Sequence, residues 1–347
     1  MIASLIDWKE AFPRQCHKLG VEAFMEMGVR SSLLPTLINF FQGRRMAVKW
    51  HGKLSTVKTL NGSGPQGSTI GLLEYLAQSN SNANSVDYDK RFKFVDDLTI
   101  LEVVNLLSIG ISSYNVKNQV PNDIPSDNGF IDSRSLLSQN HIDNIARWTK
   151  DQKMKLNYKK SHLMIFNFSK TKQFTTRITM ENEVLPVETK TKLLGTVITN
   201  DLKWDENTSF LVKKANKRLL LLRKATEYAN SIKDLKAIYL SHIRSILEQS
   251  CIIWHSNLTE ENISDIERIQ KNACRIILGN RYTNYSESLK KLNLDTLHHR
   301  REKLSLKFAT NCIENPKTKK LFPLKKKKHK FKTRKAEKYK VLFAKTK

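Results

Sequence analysis

The hydrophobic pattern of this 347-residue chain changes character once, near residue 200, and that change restricts the fold more than any other feature. Up to that point short β-prone runs alternate with helical segments. After Asp205 apolar residues recur at helical spacing through three long stretches, 206–228, 232–250 and 260–278. A chain ordered this way predicts a sheet-based module followed by a helical one. In the first module IASLI (2–6) reads as a strand, 15–29 and 33–42 as helices, and 46–60 as a hairpin turning at His51-Gly52. GSGPQGS (62–68) is the one dense turn cluster and opens a helix over 70–78. RFKFVDDLTILEVV (91–104) reads as strand, tight acidic turn and strand. A polar, proline-containing insertion covers 113–141. A helix at 142–152, strands at 154–158 and 162–167, and a hairpin-like region at 176–199 complete the module.

Charge points to the partner. The chain carries 60 Lys and Arg against 33 Asp and Glu, a formal charge of +27. The last 31 residues hold 15 of the cations and a single acid, Glu337, so the tail carries +14 and the body +13. A basic body with a basic tail is drawn to phosphate backbones by a long-ranged, salt-sensitive attraction. KKKKHKFKTRK (325–335) has the composition of a nuclear-localisation segment and equally of a solvated tail. The tail lacks a strong apolar face, which argues against an acidic membrane as partner. No apolar run reaches the roughly 18 to 20 residues that span a bilayer, and MIASLIDWKEAF (1–12) is too short and too charged for a signal peptide. The four cysteines, at 16, 251, 274 and 312, show no CxxC spacing. They argue against a disulfide framework or a zinc module, and the expected location is intracellular, in nucleus or cytoplasm.

Three features carry potential chemistry: Asp7 at the end of the first strand, GPQGS (64–68), and Asp96-Asp97 at the acidic turn. Adjacent aspartates in a tight hairpin repel one another unless cations neutralise them. A third, strand-borne aspartate beside them makes a set of hard oxygen donors suited to Mg²⁺ and to two-metal phosphoryl chemistry. A glycine-rich turn before a helix allows close backbone approach to a nucleotide or a strand. Taken singly, the acidic pair fits a solvated surface turn and the PQG an ordinary loop. Trp50, Trp148, Trp204 and Trp254 are expected as packing anchors, and His298-His299, with no partner at metal-ligand spacing, as structural or surface residues.

In order and flanking residues, DWKEAF (7–12), GPQGS (64–68) and FVDD (94–97) resemble the motifs of reverse transcriptases from non-LTR, LINE-type retrotransposons. MKLNYKKSHLMIF (154–166) resembles the L-N-x-x-K-[ST] segment of that family, and KLLGTVITNDLKW (192–204) its primer-grip hairpin. LEQSCIIWHSNLT (247–259) and IERIQKNACRIILG (266–279) resemble its post-thumb helices. The resemblance implies an α+β fold: a right-hand palm with an RRM-like sheet over 1–200, a helical thumb and post-thumb region over 201–280, and a helical extension with a basic tail over 281–347. It implies RNA-directed DNA polymerase activity, adding a dNTP to a primer 3′-OH with two Mg²⁺ ions (or Mn²⁺), an RNA template and a DNA primer.

Carried over by position, the resemblance makes Asp7, Asp96 and Asp97 the metal ligands and Lys160 a general acid near the leaving pyrophosphate. The Trp8 carbonyl becomes a minor ligand, Phe12 a steric gate against a ribose 2′-OH, and Pro65, Gln66 and Gly67 the turn packed on nucleotide and template. Leu194 and Gly195 fall at the primer grip, and Lys213, Lys214, Lys217 and Arg218 face duplex phosphates. Phe12 also fits a core position, Lys160 an ordinary surface lysine, and 213–224 a plain amphipathic helix. In the family a fingers region precedes the first aspartate and an endonuclease lies further upstream. With six residues ahead of Asp7, both are expected to be absent, and Pro13 stands where the family often has Asp. A second reading follows from charge alone: a non-catalytic retroelement remnant that holds nucleic acid through thumb and tail.

Overall fold

Residues Ile2–Ile6 (β1) carry no charge and lie inside a four-stranded antiparallel sheet, with hydrogen-bonded neighbours on both sides. The computed structural model describes residues 1–60, 62–65, 67–104, 129–131, 136–168, 174–229 and 231–319. Contacts divide the chain into two compact units, Met1–Lys190 and Thr191–Lys347. In the first, β1 leads to helices α1 (His17–Glu26) and α2 (Leu34–Phe41). A ribbon of short strands follows: β2 (Arg45–Met46), β3 (Lys49–Trp50), β4 (Lys53–Leu54) and β5 (Lys58–Thr59). Helix α3 (Thr69–Ser79) precedes the acidic hairpin of β6 (Arg91–Phe94) and β7 (Asp97–Glu102). Then come β8 (Gly129–Ile131), α4 (Leu137–Asp151), β9 (His162–Ile165), β10 (Phe174–Thr176), β11 (Thr179–Met180) and β12 (Glu183–Val184).

The sheet order is β6-β7-β1-β9, every pair antiparallel. β1 and β6 therefore run parallel with β7 between them, the split β-α-β arrangement. Alternation puts Ile2, Ile6, Leu98, Ile100, Leu163 and Ile165 on one face, where they join Tyr75 of α3 and Ile142 and Ile145 of α4 in a buried cluster. Two strand residues tie these helices to the sheet. The N-cap of α4, Leu136, offers no side-chain acceptor. The Glu102 carboxylate takes its place, accepting from Leu137 N (3.0 Å), Ser138 N (2.8 Å) and Ser138 Oγ (2.5 Å). At the other pole Lys93 Nζ donates to the carbonyls of Ser79 (3.4 Å), Asn80 (2.9 Å) and Asn82 (2.5 Å), where the α3 dipole is negative.

Some expected elements differ. The helix expected from residue 142 begins at Leu137, because Glu102 caps its first turn. Of the 113–141 insertion, 113–128 and 132–135 lie outside the described residues. The strand expected at 154–158 reduces to one bridge, Trp8↔Leu156. Asn157 turns the chain instead, its carbonyl accepting from Lys160 N (3.1 Å) and Ser161 N (2.9 Å). Trp50 is not a packing anchor: it is 74% exposed. Trp204 and Trp254 are buried, and Trp148 meets Trp8 edge-on at 5.6 Å while its Nε1 donates to Ser81 Oγ (2.9 Å).

Beyond the hairpin of β13 (Lys190–Leu193) and β14 (Thr196–Thr199), the second unit is helical. It comprises α5 (Asp205–Ala225), α6 (Ile232–Tyr239), α7 (Ser245–Glu248), α8 (Cys251–Trp254), α9 (Glu260–Leu278), α10 (Tyr285–Leu292) and α11 (Leu297–Glu314). Leu211, Ala215 and Leu219 of α5 pack with Ile266, Ile269 and Ala273 of α9. The single helix expected over 232–250 is interrupted. Residues Leu240–Arg244 form a π-type turn, where Ser241 Oγ donates back to Ala237 O (2.8 Å). Ser250 then adopts a left-handed conformation (φ 54°). Trp254 Nε1 donates to Gln249 O (3.1 Å), taking the carbonyl that an unbroken helix would use. Among the described residues no helix is long and apolar enough to cross a membrane.

One buried acid opposes the packing of the first unit. Glu74 of α3 is fully buried, and neither carboxylate oxygen has a partner. Burial pushes its pKa up to about 7, with the Arg44 charge opposing. The folded state therefore favours the protonated acid, so the Glu74 contribution is fully favourable below about pH 4.5 and is lost as pH rises through 7. The penalty at high pH is about 3 kcal/mol. Glu74→Leu is expected to raise the urea midpoint under mildly alkaline conditions and to leave it nearly unchanged in acid, as followed by circular dichroism at both pH values.

Candidate active site

The ladder between β1 and β7 runs from Ile2↔Glu102 to Ile6↔Leu98. One step further, the same register brings Asp7 opposite Asp97, about 5 Å away between Cα atoms. The β6–β7 hairpin closes at Phe94↔Asp97, leaving Val95 and Asp96 at the turn; Val95 takes φ 55°. Asp7 is thus gathered with the adjacent Asp96 and Asp97, distant from it in sequence, at one end of the sheet. The Asp97 carboxyl is raised above its ordinary value, first by burial and then by the Asp96 and Asp7 charges. That repulsion is what a cation relieves, and the donors are hard carboxylate oxygens suited to a divalent ion. As the side chains stand, no three His, Cys, Asp or Glu among the described residues converge closely enough to hold an ion.

Asp7 is held from the L-N-x-x-K-S segment. Asn157 Nδ2 donates to Asp7 Oδ2 (2.9 Å) and Asn157 N to Asp7 O (2.9 Å). Asp7 N donates to Ser161 Oγ (3.0 Å), which in turn donates to Asn157 O (2.9 Å). Lys160 Nζ lies 4.0 Å from Asp7 Oδ2, its side chain 74% exposed. Trp8, buried in the sheet's core, and the Lys9 N bond to Lys155 O (2.8 Å) extend the same contact. Asn157 and Ser161 were not singled out from the sequence. Their signal is the L-N-x-x-K-S motif itself, in which they are the Asn and Ser positions.

Phe12 is half-buried and stacks on Tyr75, with centroids 5.1 Å apart and an interplanar angle of 28°. Tyr75 is fully buried and its hydroxyl has no partner. Its pKa is raised, first by burial and then by the charges of Asp96, Asp7 and Asp97, so the phenol lies within the field of all three acids. The GPQGS turn sits beside this pair. A Cβ at Gly64 would meet Gln15 Oε1 at 1.5 Å, so glycine is required there for Gln15 to fill the space. Gln15 Nε2 donates to Gly71 O (3.4 Å), and Gly64 N donates to Phe12 O (3.0 Å). Pro65 is half-buried and Gly67 exposed; Gln66 lies outside the described residues. Ser68 caps α3, its Oγ accepting from Gly71 N (3.0 Å).

The remaining predicted residues belong to the second unit. Leu194 (φ 47°) and Gly195 (φ 85°) form the β13–β14 turn, with both residues left-handed. Gln249 Nε2 donates to Leu194 O (3.3 Å), and a Cβ at Gly195 would lie 2.2 Å from that nitrogen. Lys213, Lys214, Lys217 and Arg218 are exposed together on α5, opposite its buried Leu211, Ala215 and Leu219. His298 and His299 both face Glu302, at 3.9 and 3.6 Å. Residues 320–347, with the basic run 325–335, lie outside the described residues.

These contacts separate two polar groups beside the acids, the half-buried Asn157 and the buried Tyr75. Asn157→Ala removes a charge-assisted bond and is expected to cost about 1 to 3 kcal/mol in urea unfolding. Tyr75→Phe deletes an unpartnered hydroxyl and is expected to be neutral or stabilising in the same measurement.

Compared with protein-family models the chain matches none, and compared with curated proteins it matches none.

Proposed function

We propose that this chain is the reverse-transcriptase part of a non-LTR retroelement, an RNA-directed DNA polymerase that adds dNTPs to a primer 3′-OH. The observation that carries this reading is the register that brings Asp7 opposite Asp97, next to the Asp96 turn. Asp7, Asp96 and Asp97 would hold Mg²⁺ or Mn²⁺. Bound ions would neutralise the triphosphate and stabilise the attacking and leaving oxygens of an in-line displacement.

The chain's own side chains supply the rest. Asn157 and Ser161 keep the Asp7 backbone and carboxylate in one orientation. Phe12 is backed by the buried Tyr75 ring, which supports its reading as a gate against a 2′-OH. Lys160, exposed and 4.0 Å from Asp7, is the residue that would donate a proton to a departing phosphate. The α5 cations favour a duplex backbone, and the β13–β14 turn is the counterpart of the primer grip.

Purified chain is expected to extend a DNA primer on an RNA template with Mg²⁺ or Mn²⁺. Asp96→Asn is expected to abolish extension and Phe12→Ala to admit ribonucleotides. Extension that is absent from the wild type, or equal in Asp96→Asn, would end the reading. The charge of +27 favours a second reading, a nucleic-acid-binding remnant without catalysis. It predicts the same salt-dependent binding with no extension in the primer assay.

A further inference from the structure

From Met27 to Leu73 the sequence contains no acid and six cations: Arg30, Arg44, Arg45, Lys49, Lys53 and Lys58. Five of the six belong to the β2–β5 ribbon or, as Arg44 does, immediately precede it. Every residue from 45 to 59 is exposed, so neither face of this ribbon packs against the body of its unit. An isolated two-stranded ribbon is marginally stable in water. Here it also carries Val48 at 60%, Leu54 at 70% and Trp50 at 74% exposure.

The tip is the informative part. His51 (φ 45°) and Gly52 (φ 79°) make the turn, and the register pairs Trp50 with Lys53 and Lys49 with Leu54. Directly paired residues of an antiparallel ribbon point to the same side. An exposed indole and an ammonium group therefore share one face, while the His51 ring stands at 86° to the indole, 4.8 Å away. Apolar exposure alone would suit a protein partner. The complete lack of acids and the even spacing of cations along both strands favour a polyanion. An aromatic ring beside a phosphate-seeking cation is how single-stranded nucleic acid is held: a base stacks on the ring and the backbone follows the charges.

We propose that the β2–β5 ribbon is a nucleic-acid-binding arm for single strands. Trp50 stacks on an unpaired base, and Lys53, paired with it on the same face, contacts the flanking phosphate. The arm shares no residue with the acidic end of the sheet or with the α5 cations. Its assignment holds whether or not the chain polymerises.

The test is fluorescence-anisotropy binding of the full chain to a labelled oligothymidylate and to a duplex of equal length. It is run over a salt series, without metal or dNTP. All variants keep the basic tail, so its contribution cancels in every comparison. Trp50→Ala is expected to weaken single-strand binding about 5- to 100-fold with the salt slope unchanged, to affect the duplex much less, and Trp50→Phe to restore most of the affinity. Lys53→Ala is expected to lower the slope by about 0.7, the value of one phosphate contact on a single strand. Because these side chains are exposed, the melting curve by circular dichroism is expected to be unchanged in each variant. The proposal is overturned if Trp50→Ala binds the single strand within about twofold of wild type, if it loses single strand and duplex alike, or if Lys53→Ala keeps the wild-type slope.

Discussion

The antiparallel pairing of β1 with β7 is the constraint on which the first unit rests. Its register decides two things together. It sends Ile2, Ile6, Leu98 and Ile100 to the face covered by α3 and α4, and it sends Asp7 and Asp97 to the other face. A slip by one residue would exchange the two sets, burying the acids and exposing the aliphatics. The hydrophobic driving force that holds the sheet on its helices therefore also keeps mutually repelling carboxylates neighbours. Glu102 at the far end of β7 strengthens the same ladder by completing the first turn of α4.

Much of this was legible from pattern alone. The uncharged IASLI run, the alternation around Asp96-Asp97 and the long amphipathic stretches after Asp205 each satisfy a single local rule, and each became the expected element. What escaped depends on contacts between distant residues. Glu102 starts α4 five residues earlier than its own sequence suggests. The Asn157 turn replaces a strand because its carbonyl takes two local donors and its amide reaches Asp7, 150 positions away. The break at Ser250 follows from the Trp254 indole claiming the Gln249 carbonyl. Trp50 departs from expectation for the opposite reason: a tryptophan is expected to pack, and its strand pattern does not show that the ribbon stands clear of the body.

The helical unit has a different economy. Its aliphatic seam between α5 and α9 surrounds a polar centre at Gln270, which donates to Tyr285 Oη (2.8 Å) and Asp295 O (3.0 Å) and accepts from Tyr239 Oη (2.5 Å). Glu267, one turn earlier on α9, accepts from Leu297 N (3.1 Å) at the start of α11 and from the Tyr285 hydroxyl. Groups from α6, α10 and α11 thus meet on a single turn of α9. Polar networks of this kind, with Gln270 and Tyr239 fully buried at the centre, specify one helix arrangement more sharply than aliphatic packing does. Arg301, fully buried, extends the theme by donating from Nε to His255 Nδ1 (3.3 Å).

The three carbonyls gripped by Lys93 have a mechanical implication. That side chain leaves the strand just before the acidic turn and ends on the tail of the helix that bears Tyr75. Hairpin and helix are consequently geared to one another. A displacement large enough to reposition Asp96 must either shift α3, and with it the ring behind Phe12, or strip an ammonium group of all its acceptors. The give of this end of the sheet is therefore set by how far a whole helix can travel, not by the suppleness of a loop.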